Sequence, residues 1–184
     1  MCLNQEGLKF LPENFKILFR FLQSVRFGAF FVFLHICIIS FPMISFETKN
    51  IEMPCLDFNK INIWLCEVAA LYSRKITNLN YLFCDDDEIL RVNKEFLKHD
   101  YFTDIITFDY SRKDKVGGDI FISLDTVKSN SEDLNTTYEN ELLRVIVHGL
   151  LHLCGIDDKG PGEREIMEQK ENEAMALWYN LQKS

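Results

Sequence analysis

The run TYENELLRVIVHGLLHLCG, residues 137–155, limits the fold more than any other part of the sequence. Its apolar residues recur on every side of a 3.6-residue repeat, so it forms a helix that neighbouring elements must enclose. Gly155 is placed to end it as the left-handed residue after the last turn. Within it, His148 and His152 stand four apart and project from one face, one turn from each other.

The rest of the chain supplies the cover. In DFNKINIWLCEVAALYSRK, Phe58, Ile61, Leu65, Val68 and Tyr72 recur at three and four residues behind an Asp57 cap, which predicts an amphipathic helix. Leu79, Tyr81 and Phe83 alternate as in a half-buried strand, and Asp85 to Asp87 cap a second helix carrying Ile89, Leu90, Val92, Phe96 and Leu97. IITFDY (105–110) and GDIFISL (118–124) form a hairpin across a lysine-rich turn. A short helix over 125–130, a polar loop SNSEDLNTT and a final surface helix with Ile166, Met167, Ala174, Leu177 and Trp178 complete the reading. Glu163 opens that last helix, where its charge suits the helix dipole. The expected fold is a single α+β domain, a mixed β-sheet with helices.

Residues 1–42 differ from the rest of the chain. Ten of the sixteen phenylalanines fall within the first 46 residues, with Lys9, Lys16, Arg20 and Arg26 ahead of an apolar stretch. The uninterrupted part, Ala29 to Phe41, is about 13 residues and contains His35, short of the roughly 20 that span a bilayer. No small-x-small cleavage pattern comes after it, so neither an anchor nor a signal peptide fits well. The preferred reading is that translation starts at Met43, where ISFETKN begins a first strand, and that 43–184 is the domain. No stable membrane association is expected.

Apolar residues make up 47% and charged residues 26%, the balance of a globular protein. A net charge of −8 argues against broad adhesion to nucleic acid, though not against a local basic patch. The six cysteines include no CxxC pair and suit a reduced, cytoplasmic protein.

Two histidines at this spacing, Gly155, and Asp158 six residues beyond His152 compose HxxxHxxGxxD. This is the pattern of the metzincin zinc site with Asp as third ligand. A lone histidine on an apolar helix is usually a core residue, but the pair, the chain reversal and the carboxylate favour one zinc ion held by His148, His152 and Asp158. Asp157 is the nearest competitor, and Asp158 is preferred for its spacing. Zinc proteases of this pattern carry Glu directly after the first histidine as general base; here that residue is Gly149, which weakens a peptidase reading. Asp119 is most simply a turn residue, although a carboxylate near the metal would orient water.

HGLLHLCGIDD, with ELLRVIVHG before it and GEREIME after it, resembles the metal site of the YbeY family of bacterial endoribonucleases. VNKEFLKHDYFTDIITFDY is similar to the family's asparagine-to-TDVLSF segment, with Asn93, Asp100, Thr103, Asp104 and Phe108 in register, and GGDIFISLDTV to its next strand. The likeness runs from about Met43 to the C-terminus. It implies a zinc-dependent endoribonuclease that matures ribosomal RNA, notably the 3′ end of the small-subunit RNA, and partners in ribosomal RNA and pre-ribosomal 30S particles. Two departures stand out: the usual third histidine is Asp158, and an arginine is replaced by Leu97. The first lowers the charge of a zinc site from +2 to +1 and makes the metal a weaker Lewis acid. The second removes a cation that Lys98 and His99 beside it would have to supply. Arg112 and Lys113, with Lys94 and Lys115, are further candidates for contacting RNA, against the simpler view of solvated turns. The general base is not identified. The rivals are a metal-stabilised ribosome-associated factor without catalysis and a zinc peptidase.

Overall fold

The computed structural model describes residues 43–98 and 100–183; the extension 1–42 and His99 lie outside the described residues. The elements are β1 (Met43–Lys49), α1 (Phe58–Leu71), β2 (Lys75–Cys84), α2 (Asp86–Val92), a π-helical turn (Asn93–Leu97), β3 (Ile105–Asp109), β4 (Lys115–Ser123), α3 (Leu124–Asp133), α4 (Tyr138–Leu153) and α5 (Glu163–Leu181). The four strands form a mixed sheet in the order β1-β2-β4-β3. β1 and β4 run parallel to β2, while β3 pairs antiparallel with β4 as the expected hairpin. No described helix is long and apolar enough to cross a membrane.

Period-two alternation gives the sheet two different faces. Leu79, Tyr81, Phe83, Ile120 and Ile122 point into the main core with Ile61, Trp64 and Leu65 of α1 and the apolar residues of α4. On the other face Cys84, Ile106, Phe108 and Phe121 form a smaller cluster with Ile89 and Val92 of α2. Polar groups are satisfied where the layers meet: the Tyr81 hydroxyl donates to the Ile146 carbonyl at 3.0 Å, and the Trp64 indole N–H to Ala174 at 2.8 Å. Asp57 and Asp85 cap α1 and α2 as expected, accepting from the amides of Lys60 and Glu88.

Several boundaries differ from the sequence reading. The second helix changes to a π-helical turn at Asn93 and ends on Lys98 in the left-handed region, which leaves Phe96 and Leu97 exposed instead of buried. α3 runs on to Asp133, consuming half of the expected polar loop. Ile166 is exposed; the buried stripe of α5 is Met167, Glu171, Ala174, Met175 and Trp178. Asp119 lies in β4, not in a turn. Its carboxylate accepts from Asn80 and from the Tyr110 hydroxyl, and Ser45 donates to Asn80, so it belongs to a polar ladder across the strands, outside the cavities at the histidines.

α4 is enclosed as its pattern demands, from Leu142 to Leu153. It reaches the sheet most closely at Gly149, where an added Cβ would lie 2.9 Å from the terminal carbons of both Ile105 and Ile120. A glutamate here would be driven into this apolar contact. Gly149→Glu is therefore expected to destabilise the protein by roughly 3–5 kcal/mol, the cost of an unpaired buried charge. Urea unfolding measures it; wild-type stability would contradict this packing.

Candidate metal centre

The end of α4 builds the site. The Gly155 amide donates to the His152 carbonyl at 2.9 Å and the Ile156 amide to Leu151 at 3.1 Å, with Gly155 at φ +95°. These paired bonds are a Schellman motif, which folds the chain back over the last helical turn. The reversal places the Ile156 carbonyl 2.9 Å from His152 Nδ1 and brings Asp158 against both histidines.

Each imidazole is held through Nδ1. His148 Nδ1 donates to Glu171 Oε1 at 2.7 Å, and His152 Nδ1 to Ile156. Both Nε2 atoms are thereby left as acceptors, and they face each other at 2.9 Å. Asp158 Oδ2 stands 3.9 Å from one and 3.8 Å from the other. Two lone pairs and a carboxylate oxygen converging on one point form a donor set able to ligate a cation. Ligand bonds of about 2.0–2.1 Å to a tetrahedral ion set neighbouring donors roughly 3.3 Å apart. Shifts of about half an ångström reach that arrangement. Asp158 Oδ1 is also buried without a hydrogen-bond partner among the described residues. The donor set fits a divalent metal ion, and the three side chains form a group able to hold one. Asp157 is exposed and stands outside the triad, so Asp158 is the residue the chain reversal selects.

The protonation tendencies agree. Burial pushes His148 down, but the Glu171 bond and charge, with Asp104 and Asp158, outweigh it and leave its pKa above the ordinary value. Burial lowers His152, and a charged His148 lowers it further.

Glu171 is the residue that sequence reasoning missed. Its other oxygen accepts from Arg144 at 3.0 Å, and Arg144 also donates to Asn172, so the carboxylate is held from two sides. The signal was present: Met167, Glu171, Ala174, Met175 and Trp178 share one buried stripe, and a carboxylate in such a stripe needs a cationic or N–H partner.

Two cavities meet at the triad. One, of about 780 Å³, is lined by β3 residues, Leu97, Tyr101 and Lys159; the other, of about 640 Å³, by Asn140, Arg144 and Arg164. Asn93 is buried and donates to the Tyr101 carbonyl, tying down the segment before β3. Of the candidate RNA-contacting residues, Lys98 donates to the Glu95 carbonyl, Lys94 pairs with Asp100, and Arg112 and Lys113 occupy the β3–β4 turn. None of the four lines either cavity.

An α+β domain that carries two histidines of this geometry on its buried helix, and an aspartate on the loop after it, is of the kind that can house a single metal ion. The sequence model described as Endoribonuclease YbeY matches residues 43–179. The chain is 56% identical to the endoribonuclease YbeY of Phocaeicola vulgatus over 135 residues, which cover 73% of this chain and 98% of the relative. It is 55% identical to that of Bacteroides fragilis over 134 residues, covering 73% and 96%. A solution structure of a Thermotoga maritima protein superposes with a TM-score of 0.51 at 27% identity, covering 75% of this chain and 93% of that one. The chain belongs to the YbeY endoribonuclease family.

Outer-shell carboxylates that orient metal-binding histidines affect affinity strongly. Glu171→Ala is expected to weaken metal binding about 10–100-fold, and Glu171→Gln, which keeps an acceptor, by less. Competition with a chromophoric chelator checks this; unchanged affinity in both variants would contradict the role.

Proposed function

We propose that this chain is a zinc-dependent endoribonuclease acting on ribosomal RNA precursors, including the 3′ end of the small-subunit RNA, on or near 30S particles. The observation that carries the reading is the convergence of both Nε2 atoms and Asp158 Oδ2 on one point at the junction of two cavities. The relatives' names, endoribonuclease, supply the substrate class. When bound, zinc supplies positive charge to phosphoryl oxygens and acidifies water.

The residues of the chain do the rest. Glu171 and Ile156 hold the imidazoles through Nδ1, so that Nε2 of each would be free to ligate a bound ion. Asp104 is the carboxylate outside the triad that borders both cavities, and it accepts from the Thr103 hydroxyl at 3.3 Å. On this reading it orients water and takes its proton, a role the sequence alone left unassigned. The first cavity also carries Asp109, Asp157 and Glu163. A polyanion enters such a cleft only when the metal offsets these charges, so binding and cleavage depend on the ion together. A cytoplasmic location accompanies this reading, supported by the free thiols of Cys55, Cys66, Cys84 and Cys154.

A scaffold without catalysis is favoured by one observation, Leu97 lining the first cavity where the family resemblance leads one to expect an arginine. A peptidase is disfavoured by the packing at Gly149. Incubation of zinc-loaded protein with precursor ribosomal RNA separates the readings. Cleavage that stops with chelator or with His148→Ala is expected, with RNA binding weakened by the chelator as well. Intact RNA with zinc fully loaded would overturn the nuclease reading for that substrate.

A further inference from the structure

Both cavities include Asp104, His148 and Asp158 in their walls, so the metal triad lies where they join, with open space to either side. Each side carries one exposed cation for which no carboxylate or other partner occurs among the described residues: Lys159 in the first cavity and Arg164 in the second. Other basic groups nearby are engaged: Arg144 by Glu171 and Asn172, Lys94 by Asp100, and Arg91 by Glu88 and Glu95. An exposed arginine or lysine facing a groove through which a chain of phosphates passes is a phosphate contact.

Building on the nuclease reading above, we propose that a single RNA strand crosses the metal centre from one cavity into the other. Arg164 holds a phosphate on one side of the scissile bond, and Lys159 holds one on the other. A strand engaged on both sides is cut internally, because the bond at the metal has nucleotides on either hand. Lys159 follows Asp158 directly in sequence, and Arg164 lies in the first turn of α5. Lys94, Lys98, Arg112 and Lys113 lie outside this path.

Zinc-loaded protein and a labelled 2′-O-methyl oligoribonucleotide, used as an uncut probe, test the path by affinity against salt. For a single strand each phosphate contact contributes about 0.7 to the slope of log K on log salt. Arg164→Gln and Lys159→Gln are each expected to flatten the slope by about 0.7, and the double variant by about twice that. Shortening the probe from one end should abolish the effect of one substitution and leave the other; shortening from the opposite end should do the reverse. In cleavage assays the single variants raise KM several-fold with little change in kcat. Lys128→Gln, on α3 and lining neither cavity, is the control. Slopes unchanged in both variants, a control that flattens the slope equally, or insensitivity to which end is shortened would overturn the proposal. Failure of the wild type to cut RNA is a separate result that tells against the nuclease reading, since the binding measurements do not depend on cleavage.

Discussion

The close seating of α4 against the sheet at Gly149 determines what the rest of the centre can do. With no side chain at that position, the helix meets Ile105 and Ile120 directly, and the face beside it, bearing His148 and His152, turns toward the cleft. The same contact is apolar on its sheet side, and no carboxylate follows His148 to face the cleft. Asp104, at the start of β3, is the carboxylate that the sheet brings there. Packing and chemistry are thus set by one contact between a helix and two strands.

Electrostatics around the triad follow from its second layer. Glu171 is buried, bonded to His148 and held by Arg144, and these partners keep its carboxyl below the usual range despite the opposing effect of burial. It stays anionic and keeps Nδ1 of His148 protonated, which frees Nε2 for a metal. An aspartate as third ligand reduces the positive charge of the loaded centre. On the proposed RNA path, an acidic protein would then place more of the binding on cations lining the cavities, such as Lys159 and Arg164.

The sequence disclosed the features written in local periodicity. The enclosed helix, its glycine stop, the hairpin, the helix caps and the grouping of His148, His152 and Asp158 were all legible, because each depends on spacing within one element or one turn. What it hid were features that depend on packing between distant elements. Glu171 is 23 residues from the histidine it orients and looked like one more charge on a surface helix. Asp119 reads as a turn residue placed before a strand, yet it and the two glycines ahead of it lie inside β4. Phe96 and Leu97 fitted a helical stripe until the π-helical turn rotated them outward. The two cavities had no signature at all, since their walls come from β3, α4, α5 and the loops between them.

The central claim is that a mixed site of two imidazoles and one carboxylate binds a single metal ion. X-ray absorption at the zinc edge, on protein loaded and assayed for stoichiometry, tests it most directly. The expected result is one zinc per chain, with two imidazole nitrogens and light oxygen donors in its coordination shell, and loss of an oxygen donor in Asp158→Ala. A site with three imidazoles, sulfur ligation, or an unchanged spectrum in Asp158→Ala would contradict it.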